Sequence, residues 1–169
     1  MQASNNKKRA TNMNLTMNHL IQTICKEFSS HRIERFTLSD LAKLSGTSRG
    51  SIYYHFSSID QLYKEVLENI ILKEITDGCE SSDELFVRSV TYIMENQNLC
   101  LNLYYQTAML VKDEHRTKVL NELLMKYDIA DQSHQMYMIA SFIYTFKHWF
   151  DSNLKLDKQQ IIDELLNYN

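Results

Sequence analysis

Hydrogen-bonding side chains are concentrated in one short stretch of this 169-residue chain. The stretch mixes hydroxyl, basic and aromatic groups that can donate to phosphates and contact base edges: Thr47, Ser48, Arg49, Ser51, Tyr53, Tyr54 and His55. Gly50 stands among them, where its small size allows either close approach to a DNA backbone or helix packing. Tyr53 has two open roles, contact with phosphate or packing in the core. These residue types at this density favour recognition of a nucleic acid.

Two short helices must position these groups. Thr37-Leu-Ser-Asp40 has the form of a capping box that opens the first helix, and Gly46 ends it. Ser48 can then cap a second helix over about 49–55. Apolar residues occupy the inward positions of both helices: Leu38, Leu41, Ala42, Leu44, Ile52 and Phe56. Residues 37–56 are therefore predicted to form a helix-turn-helix, whose second helix lies in the major groove.

Composition indicates an all-α fold. The chain has no proline and only three glycines, whereas β-rich folds need many turns. Apolar periodicity predicts about nine helices in total. Besides the two short helices, these cover about 13–30, 59–76, 83–96, 98–111, 114–127, 131–152 and 158–168. In the helix that ends near residue 76, Leu62, Val66, Ile70 and either Leu67 or Ile71 should point inward.

The stretch Asp77–Ser82 is the clearest boundary and predicts two domains, 1–76 and 77–169. Residues 1–58 hold eight Lys and Arg against three acids, whereas residues 59–169 hold ten against eighteen. This asymmetry predicts that only the N-terminal part meets a polyanion. Residues 1–10 are polar and include Lys7, Lys8 and Arg9, so they are predicted to form a flexible basic arm that contacts phosphate.

The segment Thr37–Leu62 resembles the TetR family of bacterial transcriptional regulators, and the resemblance extends over residues 20–67. The matching positions are Thr37, Leu38, Leu41, Ala42, Ser45, Gly46, Thr47, Ser48, Gly50, Ser51, Ile52, Tyr53, His55, Phe56, Ser58 and Leu62. The chain departs from the family pattern at Arg32, where a glycine usually stands, and at Ile59, which replaces a phosphate-contacting lysine. The C-terminal pattern is similar to short Firmicutes-type members, some of which are coactivators.

The resemblance implies a homodimeric regulator that binds a double-stranded DNA operator, with Thr37 adding a phosphate contact. The expected function is repression that a small-molecule effector relieves. The alternative is a partner-regulated coactivator or adaptor without a small-molecule ligand. The resemblance also implies that helices 131–152 and 158–168 pair with their copies. The aromatic and aliphatic residues expected at that interface are Phe142, Phe146, Trp149, Phe150, Ile161 and Leu165.

A wall of Met, Tyr and Leu side chains in the C-terminal part suits a ligand cavity, because Met adapts its shape and Tyr offers a hydroxyl. The candidate ligand-binding residues are Tyr92, Leu103, Tyr104, Met109 and Met138. The opposing interpretation is a helical core that happens to use Met.

Other functions are disfavoured. No pattern of a nucleophile with its base, and no carboxylate pair, indicates an enzyme. The cysteines and histidines are dispersed, and a site built from Cys100, His115 and His134 is the only metal arrangement to consider. No cofactor is expected. Neither a signal peptide nor a membrane span is evident, so a cytoplasmic protein with reduced thiols is predicted.

Overall fold

The computed structural model describes the backbone of residues 2–107, 113–126 and 132–167, and the side chains of residues 15–107, 117–126 and 133–167. Every regular element in these ranges is helical. One continuous helix, α4, is α-helical over Ile59–Val66, π-helical over Leu67–Leu72 and α-helical again over Lys73–Thr76. The other helices are α1 (Gln2–Ser30), α2 (Leu38–Ser45), α3 (Arg49–His55), α5 (Ser82–Glu95), α6 (Gln97–Thr107), α7 (Asp113–Leu124), α8 (Gln132–Asp151) and α9 (Lys158–Leu166). The described residues thus confirm the all-α fold class and its nine helices.

Helix α1 begins earlier than predicted. It starts at Gln2, so the basic stretch that was expected to be a flexible arm has a helical backbone. Residues 2–14 contain neither proline nor glycine and include several good helix formers, so the helix propagates backwards from its buried part. The side chains of Lys7, Lys8 and Arg9 lie outside the described residues.

The N-terminal core forms around α1. Leu20, Ile24 and Phe28 recur at helical spacing and are at most 1% exposed. Phe28 meets the ring of Phe36 edge-on at 5.2 Å, and this contact closes the connection between α1 and α2. Against this core α2 places Leu41, α3 places Ile52 and Phe56, and α4 places Leu62. The predicted inward position of Leu44 is wrong, since this side chain is 50% exposed at the end of α2.

The π-helical segment changes which face of α4 is buried. Val66 is buried, and the next buried residue is Ile71, five positions later rather than the four of an α-helix. Ile70, which was predicted to point inward, is instead 37% exposed. The extra residue shifts the buried stripe by one position, so Ile71 and Ile75 continue the line begun by Leu62 and Val66.

The last two helices pack inside the chain. Asn153 and Leu154 adopt left-handed backbone angles, with φ of 57° and 58°, and the reversal lays α9 along α8 and α5. The Trp149 indole is fully buried, and its Nε1 donates to the Leu156 carbonyl at 3.2 Å. The structure therefore places most of the predicted dimer residues in the chain's own core: Phe146, Trp149, Phe150, Ile161 and Leu165. Phe142 is half-buried and stacks on Phe146 at 4.2 Å.

The predicted domain boundary is a short turn that a side chain of α5 holds by hydrogen bonds. Gly78 adopts φ of 67°, and Arg88 on α5 donates to the carbonyls of Asp77 and Gly78 at 2.6 and 3.4 Å. Buried residues before and after this turn belong to one continuous apolar cluster. For brevity, we call residues 15–76 the head and the described residues from 77 onwards the body.

Candidate nucleic-acid interface and body cavity

The first helix of the helix-turn-helix is fixed at its start by a reciprocal cap. The Asp40 backbone N–H donates to Thr37 Oγ1 at 3.3 Å, and the Thr37 backbone N–H donates to Asp40 Oδ2 at 3.0 Å. The Thr37 hydroxyl also donates to Asp40 Oδ2 at 2.6 Å, and this bond is the main cause that lowers the pKa of the Asp40 carboxyl. Thr37 therefore acts as a cap, and the residue is half-buried at the start of α2.

The turn between the two helices has the predicted chemistry. Gly46 has φ of 65°, a left-handed conformation that favours glycine, and it ends α2. Ser48 caps α3, because its Oγ accepts from the Ser51 backbone N–H at 3.2 Å. His19 Nε2 on α1 lies 3.0 Å from the Ser45 carbonyl oxygen and ties the end of α2 to the core.

The predicted contact residues lie on the outward side of α3. Ile52 and Phe56 hold the helix against the core and are at most 1% exposed. Tyr53 and Tyr54 are 58% and 74% exposed, which removes the interpretation of Tyr53 as a core residue. Ser48, Arg49 and Gly50 are exposed, whereas Thr47, Ser51 and His55 are half-buried. The Tyr54 and His55 rings meet edge-on at 5.4 Å.

Gly50 is not required for packing against the described part of the chain. A Cβ atom built at this position would meet nothing within 4 Å. The helix-packing explanation for this glycine therefore finds no support, and close approach to DNA stays a prediction. The family's usual lysine position at the start of α4 is taken by Ile59, which is half-buried and packs against the core.

A pair of amides on α6 clamps the connection between α1 and α2. The Asn102 side chain is fully buried, and its Nδ2 donates to the carbonyls of Phe28 and His31 at 2.9 and 2.7 Å. Its Oδ1 accepts from the Ile33 N–H at 2.9 Å. One turn later, Gln106 Nε2 donates to two carbonyls of the same connection at 3.1 Å, and Oε1 accepts from the Phe36 N–H at 3.3 Å. The body therefore holds the peptide segment that leads directly into the helix-turn-helix.

The opposite side of α6 lines an apolar cavity of about 260 Å³. The cavity lies between α4, α5, α6, α7 and α8, and its lining includes the π-helical residues Leu67, Ile71 and Leu72. Leu103 and Tyr104, two of the predicted ligand-binding residues, line it. Tyr92 and Met138 are buried but are not part of its lining, as expected of core residues. Met109 lies outside the described residues.

Other kinds of site find little support in the described part of the chain. Within it, no group of three His, Cys, Asp or Glu residues is placed to hold a metal ion. The side chain of His115, one of the three residues considered for such a site, lies outside the described residues. No described helix is both long and apolar enough to cross a membrane.

Two structural features were missed by sequence reasoning. The amides of Asn102 and Gln106 act on a segment about 70 residues earlier, and no short-range pattern could signal that pairing. The π-helical segment of α4 was also missed, since α-helical spacing predicted Ile70 to be buried, whereas the buried residue is Ile71.

Comparison with known proteins agrees with the geometry of the head. Residues 20–66 match the family described as bacterial regulatory proteins, tetR family. These residues include the second half of α1, the helix-turn-helix and the first segment of α4. The match coincides with the part of the chain whose caps, turn and buried residues are described above.

Curated relatives are similar over different lengths. The chain is 34% identical over 71 residues to the probable acrEF/envCD operon repressor of Escherichia coli K12, which is 38% of this chain and 32% of that protein. It is 27% identical over 111 residues to the transcriptional regulator TtgR of Pseudomonas putida, 64% of this chain and 49% of that protein. It is 27% identical over 156 residues to the regulator SAR0097 of Staphylococcus aureus, 77% of this chain and 78% of that protein. The chain thus spans about a third to a half of the length of the first two relatives.

Proposed function

We propose that this chain, whose residues 20–66 belong to the tetR family of bacterial regulatory proteins, is a transcriptional regulator that binds operator DNA through α3. The observation that carries the proposal is the division of α3 into two faces. Ile52 and Phe56 fix the helix in the core, while Arg49, Tyr53 and Tyr54 project into solvent. A recognition helix needs this arrangement, because its outward residues must reach base edges and phosphates without unfolding the head.

Each exposed group has a defined task in this proposal. The Arg49 guanidinium can donate to two acceptors of one guanine, and the hydroxyls of Tyr53 and Tyr54 can donate to phosphate oxygens. Gly50 lets the phosphate backbone approach α3, since no described atom lies within 4 Å of a Cβ built there. Some relatives are named as repressors, which favours operator binding for this chain as well.

A homodimer would bring two recognition helices to one operator, with half-sites about 34 Å apart or a multiple of that. For the interface we propose the outer face of α8 in place of the buried residues predicted from sequence. Tyr137, Ala140, Tyr144 and His148 are exposed and follow one another at helical spacing. Tyr137 and Tyr144 are 70% and 72% exposed, and large aromatic rings of this kind commonly anchor interfaces. A two-fold axis would pair this face with its own copy.

An effector in the body would act on the head through two connections. The cavity touches the π-helical segment of α4, which continues into the helix-turn-helix core. It also touches Leu103 and Thr107 on α6, the helix whose Asn102 and Gln106 hold the segment before Thr37. A ligand that favours another position of either helix would shift the spacing of the two heads and release the operator.

The test of DNA binding starts from a random-sequence duplex pool, from which the protein should enrich one palindromic sequence. Arg49→Ala and Tyr54→Ala should each weaken mobility-shift binding to that duplex by about tenfold or more, with the melting temperature nearly unchanged. Lys155→Ala is the matched control, because it removes one exposed positive charge from the body and should change affinity little. Failure to enrich any sequence would overturn the proposal. Enrichment with unaffected Arg49 and Tyr54 variants would move the DNA-binding face elsewhere.

Sedimentation separately tests the interface. Tyr144→Glu should give a monomer at micromolar concentration, because it places a charge in the proposed contact. Met125 follows the end of α7 and is 70% exposed, so Met125→Glu adds the same charge away from the proposed interface and should leave the dimer intact. A dimeric Tyr144→Glu protein would refute the α8 face. A parent protein that is monomeric at all concentrations would favour the adaptor alternative, in which another protein occupies this face.

A further inference from the structure

The body cavity has a lining whose polar groups already bond within the chain. Fifteen of its twenty described lining residues are aliphatic, phenylalanine or cysteine side chains. The four hydroxyl groups all donate to protein acceptors. The Ser89 and Thr107 hydroxyls donate within their own helices at 2.7 Å, Tyr63 donates to the Phe36 carbonyl at 3.4 Å, and Tyr104 donates to Asp151 at 2.7 Å. A ligand would therefore find hydrocarbon surface and few unused donors.

Lys147 is the one charged side chain among the described lining residues, and it is ion-paired although 57% of it is exposed. Its ammonium donates to Asp151 Oδ2 at 2.7 Å, and the Asp151 carboxylate also accepts from Tyr104. These two hydrogen bonds are the main causes that lower the pKa of the Asp151 carboxyl. A ligand anion near Lys147 would meet the Asp151 carboxylate, and a ligand cation near Asp151 would meet the Lys147 ammonium. Neither charge has an unpaired partner at this wall.

The cavity is large enough to hold a small organic molecule. An apolar protein cavity of roughly 150 Å³ stays dry and can bind benzene, so 260 Å³ gives room for a larger hydrocarbon group. Leu67 lines the cavity and is 39% exposed, which marks the π-helical segment of α4 as part of its opening. Leu120 and Leu123 on α7 are half-buried and close the cavity on another side.

We infer that this cavity binds an uncharged, predominantly hydrocarbon small molecule, and that it discriminates against anionic and cationic analogues of the same size. The discrimination follows from desolvation: a charged head group would lose its water and gain no unpaired partner in return. The inference rests on the proposed function only in naming this molecule as the effector. Binding itself depends on the cavity alone.

Three eight-carbon probes separate the alternatives: 1-octanol, octanoate and octylammonium at neutral pH. Binding to the full chain without DNA is measured by titration calorimetry and by the rise in melting temperature. We expect octanol to bind with a dissociation constant at least about tenfold lower than either ion. Preferential binding of octanoate would identify Lys147 as an anion anchor and overturn the inference. Preferential binding of octylammonium would identify Asp151 as a cation anchor and also overturn the inference. An absence of octanol binding would overturn the inference as well.

Filling variants test the location. Leu120→Trp should fill the cavity and abolish octanol binding, whereas Met125→Trp places the same indole on an exposed side chain of the next turn and should not. If Leu120→Trp fails to fold, Leu123→Trp fills the cavity from the neighbouring turn and should have the same effect. Octanol binding that survives a folded filling variant would place the ligand elsewhere and refute the inference.

A mobility-shift assay with the enriched duplex then distinguishes the two proposals. Octanol that binds the cavity but does not release DNA would leave the ligand class standing and refute effector release. A protein that binds octanol and no DNA would refute the proposed function alone.

Discussion

Substitution of Asn102 is the sharpest test of how the body holds the head. This amide is fully buried and makes three hydrogen bonds to backbone groups, one in the last turn of α1 and two in the segment between α1 and α2. Asn102→Ala removes all three, and Asn102→Asp keeps the side-chain size while replacing both donated bonds with an acceptor that faces two carbonyls. The aspartate variant therefore keeps the packing volume, and its destabilisation reports the lost donors together with the cost of a buried, unpartnered carboxyl.

The size of the effect follows from the exposure of the partners. A net hydrogen bond contributes about 1 kcal/mol, and a buried group left without a partner costs about 1–3 kcal/mol. The Phe28 carbonyl lies in the core and Ile33 is half-buried, whereas water can reach exposed His31. We expect either Asn102 variant to lower the free energy of unfolding by about 2–4 kcal/mol. For a chain of this size each kcal/mol lowers the melting temperature by about 2–4 °C, so the expected decrease is about 4–16 °C.

Urea denaturation of the parent and variants measures this difference, with Asn98→Ala as the matched control. Asn98 lies one turn earlier on α6, and its Nδ2 donates one solvent-exposed hydrogen bond to the Ser29 carbonyl at 3.3 Å. Its substitution by alanine should change the free energy of unfolding by about 0.5 kcal/mol or less. If both Asn102 variants unfold at the urea concentration of Asn98→Ala, the clamp contributes nothing and the coupling through α6 is refuted.

Three further predictions concern other parts of the chain. Trp149→Ala should lower the free energy of unfolding by about 3–5 kcal/mol without dissociating a dimer, because the indole is buried within one chain; a stable monomeric variant in sedimentation would contradict this. Removal of residues 1–10 should reduce the slope of log K against log salt for DNA binding by about 0.9 for each phosphate contact that the basic residues make, and an unchanged slope would show that they make none. Burial raises the pKa of Cys25 to about 11 and that of Cys100 to about 12, so iodoacetamide at pH 8 should alkylate both far more slowly in the folded protein than in urea. For the same reason the contribution of the two thiols to stability should be constant below their unfolded pKa near 9 and fall as the pH rises towards 12, which denaturation at several alkaline pH values would measure.

The helix-turn-helix was predictable because its determinants are local. The Thr37 cap, the left-handed Gly46 and the Ser48 cap each depend on residues within four positions of one another. The spacing of Leu41, Ile52 and Phe56 then fixes which side of each helix is buried, and Arg49 and Tyr54 follow on the other side. Such interactions operate within one or two turns, so they can be read from sequence.

The body was predictable only as a set of helices. Its apolar residues were recognised, but the same stripe can face a neighbouring helix of the same chain or a second copy. Trp149, Ile161 and Leu165 were assigned to a dimer interface, whereas the reversal at Asn153 and Leu154 packs them inside. Periodicity identifies a face that must be buried but carries no information about what buries it.

Sequence alone therefore determined the helical class, the helix-turn-helix and the side chains that α3 exposes, because each results from interactions between near neighbours. Tertiary structure alone decided where the cavity lies, which face of α8 stays exposed, and which amides connect the body to the head. The π-helical shift in α4 and the bonds from Asn102 to a segment about 70 residues away arise when distant helices compete for the same buried space and the same backbone partners. That competition depends on how all the helices pack together, and no stretch of sequence encodes it by itself.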